Sequence, residues 1–248
     1  MRAILVLCIR QLKRYIRSPA RIVGSLGQPV IFLLALGFGI GSVFRRAGSG
    51  NYLSFLAPGI IVMGIMFTAV FSGIEIIWDR QFGFLKETLV APVSRLQIVL
   101  GRVLGGAIVA ILQGFAVFLV CVAFGFRVHQ MMMAPLAMVF MFLIAILFTS
   151  IGTAIGSVLQ DMQGFPLVMN FLVMPLFFFS DALFPIKGLP KALEGVLRLN
   201  PVTYGVDGLR GALIGVSSFH FLTDLGVLAL LSAILLALGS YLFAKIQL

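Results

Sequence analysis

Long apolar runs alternate with short polar breaks along the chain. Six runs stand out, at residues 22–44, 53–77, 98–126, 131–159, 165–184 and 222–244. Each reaches or exceeds the ~20 apolar residues that carry a helix across the hydrocarbon core of a bilayer. The pattern predicts six transmembrane helices joined by short loops, with Pro29 and a Gly37-x-Gly39-x-Gly41 run interrupting the first.

Three polar segments break this rhythm. Residues 1–21 place Arg2, Arg10, Lys13, Arg14, Arg17 and Arg21 within an arc of roughly 120° on a helical wheel. Ile4, Leu5, Cys8, Ile9, Leu12, Tyr15 and Ile16 fill the opposite arc. That pattern predicts an interfacial helix with its basic face toward anionic headgroups. Residues 79–95, DRQFGFLKETLVAPVSR, repeat apolar positions Phe82, Leu85, Leu89 and Val93 at helical spacing, with Arg80, Lys86, Glu87 and Arg95 between them. This second segment predicts a small helix lying at the membrane surface, within reach of a soluble partner. Residues 185–219 carry six charges and three prolines, Pro185, Pro190 and Pro201. Their most apolar part, residues 202–216, spans only ~22 Å as a helix, short of a ~30 Å core. Two half-helices dipping in and returning on the outer side fit this segment; an ordinary surface loop is the plain alternative.

Composition agrees with the pattern. The chain of 248 residues is 61% hydrophobic and 10% charged, against about 25% charged residues in soluble domains. Mean hydropathy is +1.15. One all-α integral membrane domain, residues 1–248, accounts for the length, and no polar linker separates a second one. The net charge of +10 follows membrane topology: the basic N-terminus and residues 79–95 face the cytoplasm by the positive-inside rule, and six spans return the C-terminus there. No basic and aromatic groove for nucleic acid is visible.

The chemistry that is missing narrows the function. No phosphate loop of the form G-x-x-x-x-G-K-[ST] is present, since no glycine precedes a lysine. Cys8 and Cys121 lack metal or redox spacing, and His129 and His220 fall in outer loops. Glu75, Asp79, Glu87, Asp161, Asp181, Glu194, Asp207 and Asp224 map near span ends or loops, so no mid-membrane ion relay is evident. No catalytic, cofactor or metal site is expected. On the fifth run, Met169, Met174, Phe177 and Phe178 offer an adaptable apolar surface to a substrate or plain contact with lipid. Asn170 and Gln113 suit interhelical hydrogen bonds. Gly37/Gly41, Gly101/Gly105 and Gly152/Gly156 suit close helix packing. Asn200 and Pro201 begin a turn, and Asp207 is placed to pair with Arg210 at i,i+3.

Three stretches carry a family resemblance. WDRQFGFLKETLVAPVSRLQIVLGRVLGG (residues 78–106), FPLVMNFLVMPLFFFSDALFPIKGLP (165–190) and LNPVTYGVDGLRGALIG (199–215) resemble, in order, the permease subunit of bacterial type-2 ABC exporters of the drug-resistance and polysaccharide-export group. That family usually has an acidic residue at the position of Gln81 and a small one at Asp181. The resemblance implies a pair of permease chains working with two copies of a separate ATP-binding subunit that holds ATP and Mg. It implies a coupling helix formed by Arg80, Phe82, Gly83, Leu85, Lys86, Glu87, Leu89 and Pro92, anchored in the ATPase by Phe82, Leu85 and Leu89. It also implies an outer cap around Pro185, Asn200, Pro201, Tyr204, Asp207 and Arg210, and a bacterial or archaeal plasma membrane. The cargo expected first is a hydrophobic or amphipathic compound; a lipid-linked polysaccharide is the runner-up. An ATP-independent channel or a membrane-embedded lipid enzyme stands further off, because neither a polar pore stripe nor a catalytic cluster is visible.

Overall fold

A computed structural model describes residues 2–46, 52–90, 92–184 and 190–246, and helices are its regular elements. They run α1 (Arg2–Ile16), α2 (Pro19–Arg46), α3 (Tyr52–Phe71), α4 (Ile74–Gln81), α5 (Phe84–Val90), α6 (Arg95–Ala123), α7 (Ala134–Val158), α8 (Gly164–Phe178), α9 (Lys191–Leu199), α10 (Pro201–Ile214) and α11 (Phe221–Ala244). Five stretches are long and apolar enough to cross a membrane: Pro19–Gly39, Tyr52–Gln81, Arg95–Ala123, Met131–Val158 and Phe221–Ala244. The chain is a multi-pass helical membrane protein.

Helix α3 is the axis of the bundle. Leu56, Ile60, Met63 and Met66 on it are fully buried, and α2, α6, α7 and α10 pack around it. Such all-round apolarity is what a central membrane helix requires. Its end bends at Ser72–Gly73, where the Ser72 hydroxyl donates to the Ala69 carbonyl at 2.6 Å. The bend is held against α7 by glycines: a Cβ on Gly73 would sit 2.0 Å from the Gly152 oxygen, and one on Gly156 would sit 2.3 Å from the Gly73 oxygen. Small residues here let the backbones touch.

Two sequence expectations change. The second run and the charged segment share α4, so residues 79–81 extend the membrane helix and α5 alone forms the separate surface piece. The fifth run stops at Phe178; at 15 residues it measures ~22 Å, less than a full crossing. Residues 181–184 form a turn instead, with Asp181, Ala182 and Leu183 buried. Residues 190–219 hold two short helices, the form expected over a plain loop, broken at Asn200–Pro201. Pro201 opens α10, where its missing N–H goes unmissed, and Gly215 ends it in the left-handed region at φ 77°.

Both ends of the described chain lie at one end of the bundle. Phe243 and Ile246 join Ile76, Leu85, Ile98, Val99 and Val103 in a satellite core separate from the main one, while α1 packs along α6 beside it. The opposite end gathers the start of α3, the 180–184 turn and the end of α10: the Tyr52 hydroxyl donates to the Leu183 carbonyl at 3.1 Å.

Candidate functional site

The elbow between α4 and α5 turns on Gly83, whose φ of +79° is open to glycine and costly for other residues. The turn leaves two aromatics on its outer side: Phe82 is 68% and Phe84 49% exposed. Val90 is 83% exposed, and Lys86, Glu87 and Pro92 also face outward. Leu85 does the reverse of what the family resemblance implies for it. It is fully buried in the satellite core, so it anchors α5 to its own chain. Leu89 lies in α5, but its side chain is outside the described residues. Arg80 also turns inward. Its guanidinium donates to the Ser157 carbonyl at 2.9 Å and the Leu159 carbonyl at 3.2 Å, capping the end of α7 as basic side chains do. Gln81 adds a bond to the Gln160 carbonyl at 3.3 Å. The elbow is thus one piece with the ends of α4, α7 and α11.

Behind the elbow sits an ion-pair cluster that reverses the expectation for α1. Arg10 and Arg14 do not simply face headgroups. Arg10 meets Asp79 at 3.2 Å, Arg14 meets Glu75 at 3.4 Å, Arg21 meets Glu75 at 3.0 Å and Arg102 meets Asp79 at 2.6 Å. Glu75 and Asp79 are buried. They lie four residues apart on α4 and so share a face, as Arg10 and Arg14 do on α1. Charges this buried hold only when paired. Lys13 and Arg17 stay exposed and keep the part of the basic face open to headgroups. Glycines bring α1 close: a Cβ on Gly101 would lie 2.9 Å from Leu7, and one on Gly105 would lie 2.3 Å from the Gln11 amide oxygen. The Cys8 thiol donates to the Gly101 carbonyl at 3.3 Å, and burial raises its pKa. The Tyr15 hydroxyl donates to the Gln113 amide oxygen. The matching i,i+4 spacing of acids and bases on two segments was the sequence signal for this cluster.

At the far end, Asn200 joins α8 to α10. Its side-chain Oδ1 accepts from the Val202 N–H at 3.0 Å, while its side-chain Nδ2 donates to the Leu176 and Phe179 carbonyls at 2.6 Å each. The Tyr204 hydroxyl donates to the Arg198 carbonyl at 2.6 Å. Asp207 does not pair with Arg210. It accepts from the Ser218 and Phe219 N–H groups at 2.8 and 2.9 Å. Arg210 crosses instead to Asp181, binding its carboxylate and, at 2.6 Å, its carbonyl, with the guanidinium 3.9 Å above the Phe55 ring. Asp181 is therefore a buried partner and not a peripheral charge. Pro185 lies outside the described residues.

The fifth-run residues do not converge on one cavity. Met169 and Phe177 are buried in the core, Met174 is half-buried, and Asn170 and Phe178 are exposed. Phe177 packs edge-on to Phe32 of α2 at 6.3 Å. A cavity lies elsewhere: a groove of about 470 Å³ between the α1–α2 junction and α3–α4. No group of three or more metal-ligating side chains occurs among the described residues.

Fold and site together define a polytopic membrane protein without a catalytic cluster among its described residues, whose exposed aromatic elbow is fixed to several spans. Residues 2–214 match the ABC-2 type transporter family, and the chain belongs to that family. It is 30% identical over 223 residues to the ycf38 protein of Cyanophora paradoxa, covering 87% of this chain and 75% of that one. It is 29% identical over 198 residues to nodulation protein J of Rhizobium leguminosarum bv. trifolii, covering 79% and 75%. It is 29% identical over 212 residues to the inner membrane transport permease YadH of Escherichia coli, covering 83% and 82%. Membership makes the chain a transport permease and implies an ABC ATP-binding subunit as its partner.

Proposed function

We propose that the chain is the membrane half of an exporter that moves a hydrophobic or amphipathic compound out of the cytoplasm or inner leaflet. ATP and Mg belong to the partner, and the α4–α5 elbow is where that partner takes hold. One observation carries this reading: Phe82 and Phe84 are large apolar side chains left in the open on a segment otherwise edged with Lys86 and Glu87. Exposed aromatics rimmed by charge suit a protein–protein anchor, and the rim sets register. Because Arg80 and Leu85 bind the elbow to α7, α6 and α11, a push on it reaches several spans at once.

The remaining parts follow this arrangement. The end bearing the elbow and both described chain ends is cytoplasmic, in a bacterial or archaeal inner membrane. Helix α8 serves as a short fifth crossing, and α9–α10 re-enter from the outer side, capping the path through Asn200, Tyr204 and Arg210. A second permease chain covers the outward apolar face of α8, where Phe171 is 84% exposed, and the cargo passes between the two copies.

Reconstitution with the ATP-binding subunit tests this. A Phe82→Asp/Phe84→Asp variant should keep its helical spectrum and lose permease-stimulated ATP hydrolysis by at least about tenfold, the scale of a lost anchor. Full stimulation by that variant would remove the elbow from the coupling path.

A further inference from the structure

The groove between the α1–α2 junction and α3–α4 has a graded lining. Phe67, Phe71 and Trp78 contribute its apolar wall, and Arg21 and Glu75, paired at 3.0 Å, are its charged lining. Gln28 and Thr68 line the groove as well, with Thr68 next to Phe67 on α3. Its volume of about 470 Å³ falls in the ~300–1,000 Å³ range of ligand pockets. That holds one hydrocarbon chain and not a whole diacyl lipid. Arg21 and Glu75 belong to the wider ion-pair cluster, in which Arg10, Arg14, Arg21 and Arg102 meet only Glu75 and Asp79, which leaves that cluster positive. Beside the groove, Val23 of α2 is 69% exposed, an apolar surface that continues the wall outward to lipid.

We infer that this groove binds an anionic phospholipid of the surrounding bilayer, with its phosphate at Arg21 and one acyl chain along Phe67 and Phe71. Trp78 lies near the charged end, at the depth where indole rings favour the membrane interface. The second acyl chain remains in the bilayer, as the volume requires. The site ties headgroup charge to the α1–α4 cluster, so its occupancy bears on the element that holds the elbow. The inference needs only a chain embedded in a bilayer, and stands apart from the export reading.

Native mass spectrometry of the purified permease with its ATP-binding subunit, exchanged with phosphatidylglycerol or phosphatidylcholine, tests it. Phosphatidylglycerol should be retained in preference, and Arg21→Gln should cut that preference about fivefold, the effect of one basic side chain at a lipid surface. Arg21→Lys should keep it. Gly24 lines the groove and a Cβ there meets nothing within 4 Å, so Gly24→Leu fills the space without a clash. That variant should melt like the parent and release the lipid. Equal retention of the two lipids, or undiminished phosphatidylglycerol on a folded Gly24→Leu protein, overturns the assignment, and this second arm holds even if Arg21→Gln misfolds.

Discussion

Arg210 and Asp181 show how a single buried pair organises a region. Their residues are 29 positions apart, and their side chains are almost wholly enclosed. Removing one member strands the other charge, at a cost of about 3–5 kcal/mol. Asp181→Ala should therefore lower the melting temperature sharply, measured by fluorescence unfolding in detergent. Replacing both, as Asp181→Leu/Arg210→Met, should recover much of that loss, since a well-packed apolar pair often equals a buried ionic one. Spacing alone pointed Arg210 at Asp207, three residues away. The error has a physical cause: helical spacing reports neighbours on one helix, while burial made Arg210 seek a carboxylate across the fold. Asn200–Pro201 was legible because its cap is local.

Elements were legible to the extent that their length reports bilayer thickness. Apolar runs located α2, α3, α6, α7 and α11 closely. The α3–α4 bend and the early end of α8 were not, because both depend on contacts from distant segments: Gly152 and Gly156 against Gly73, and Asn200 on the last carbonyls of α8. In the elbow, Phe82 faces outward, while Leu85 is claimed by the satellite core. Gly83→Val should distort this turn, since a β-branched residue at φ +79° costs upward of about 1–2 kcal/mol. The expected result is weaker binding of the ATP-binding subunit in a co-purification assay, with the spans intact. Helix α1 offers its own probe. Asp79→Asn should loosen the Arg10 and Arg102 contacts and speed maleimide labelling of Cys8, while buried Cys121 stays unreactive as a control. Unchanged Cys8 labelling would mean that glycine packing alone holds α1.

As a whole, the molecule has a broad lipid-facing exterior and two polar constructions, one at each end of the bundle. The Asp181–Arg210 region fixes the short helices α8–α10, and the α1–α4 cluster fixes the elbow. Family membership supplies the transport role, and in the proposed reading the elbow is where a partner's work enters. Site-directed cross-linking examines that place most directly. A chain carrying Phe82→Cys on a Cys8→Ser/Cys121→Ser background should form a disulfide or short bismaleimide link to a cysteine-scanned ATP-binding subunit, with a yield that changes when ATP is added. Modification of the Phe82→Cys thiol from the outer side of intact cells by a membrane-impermeant reagent, with no link to the ATP-binding subunit, would contradict the account.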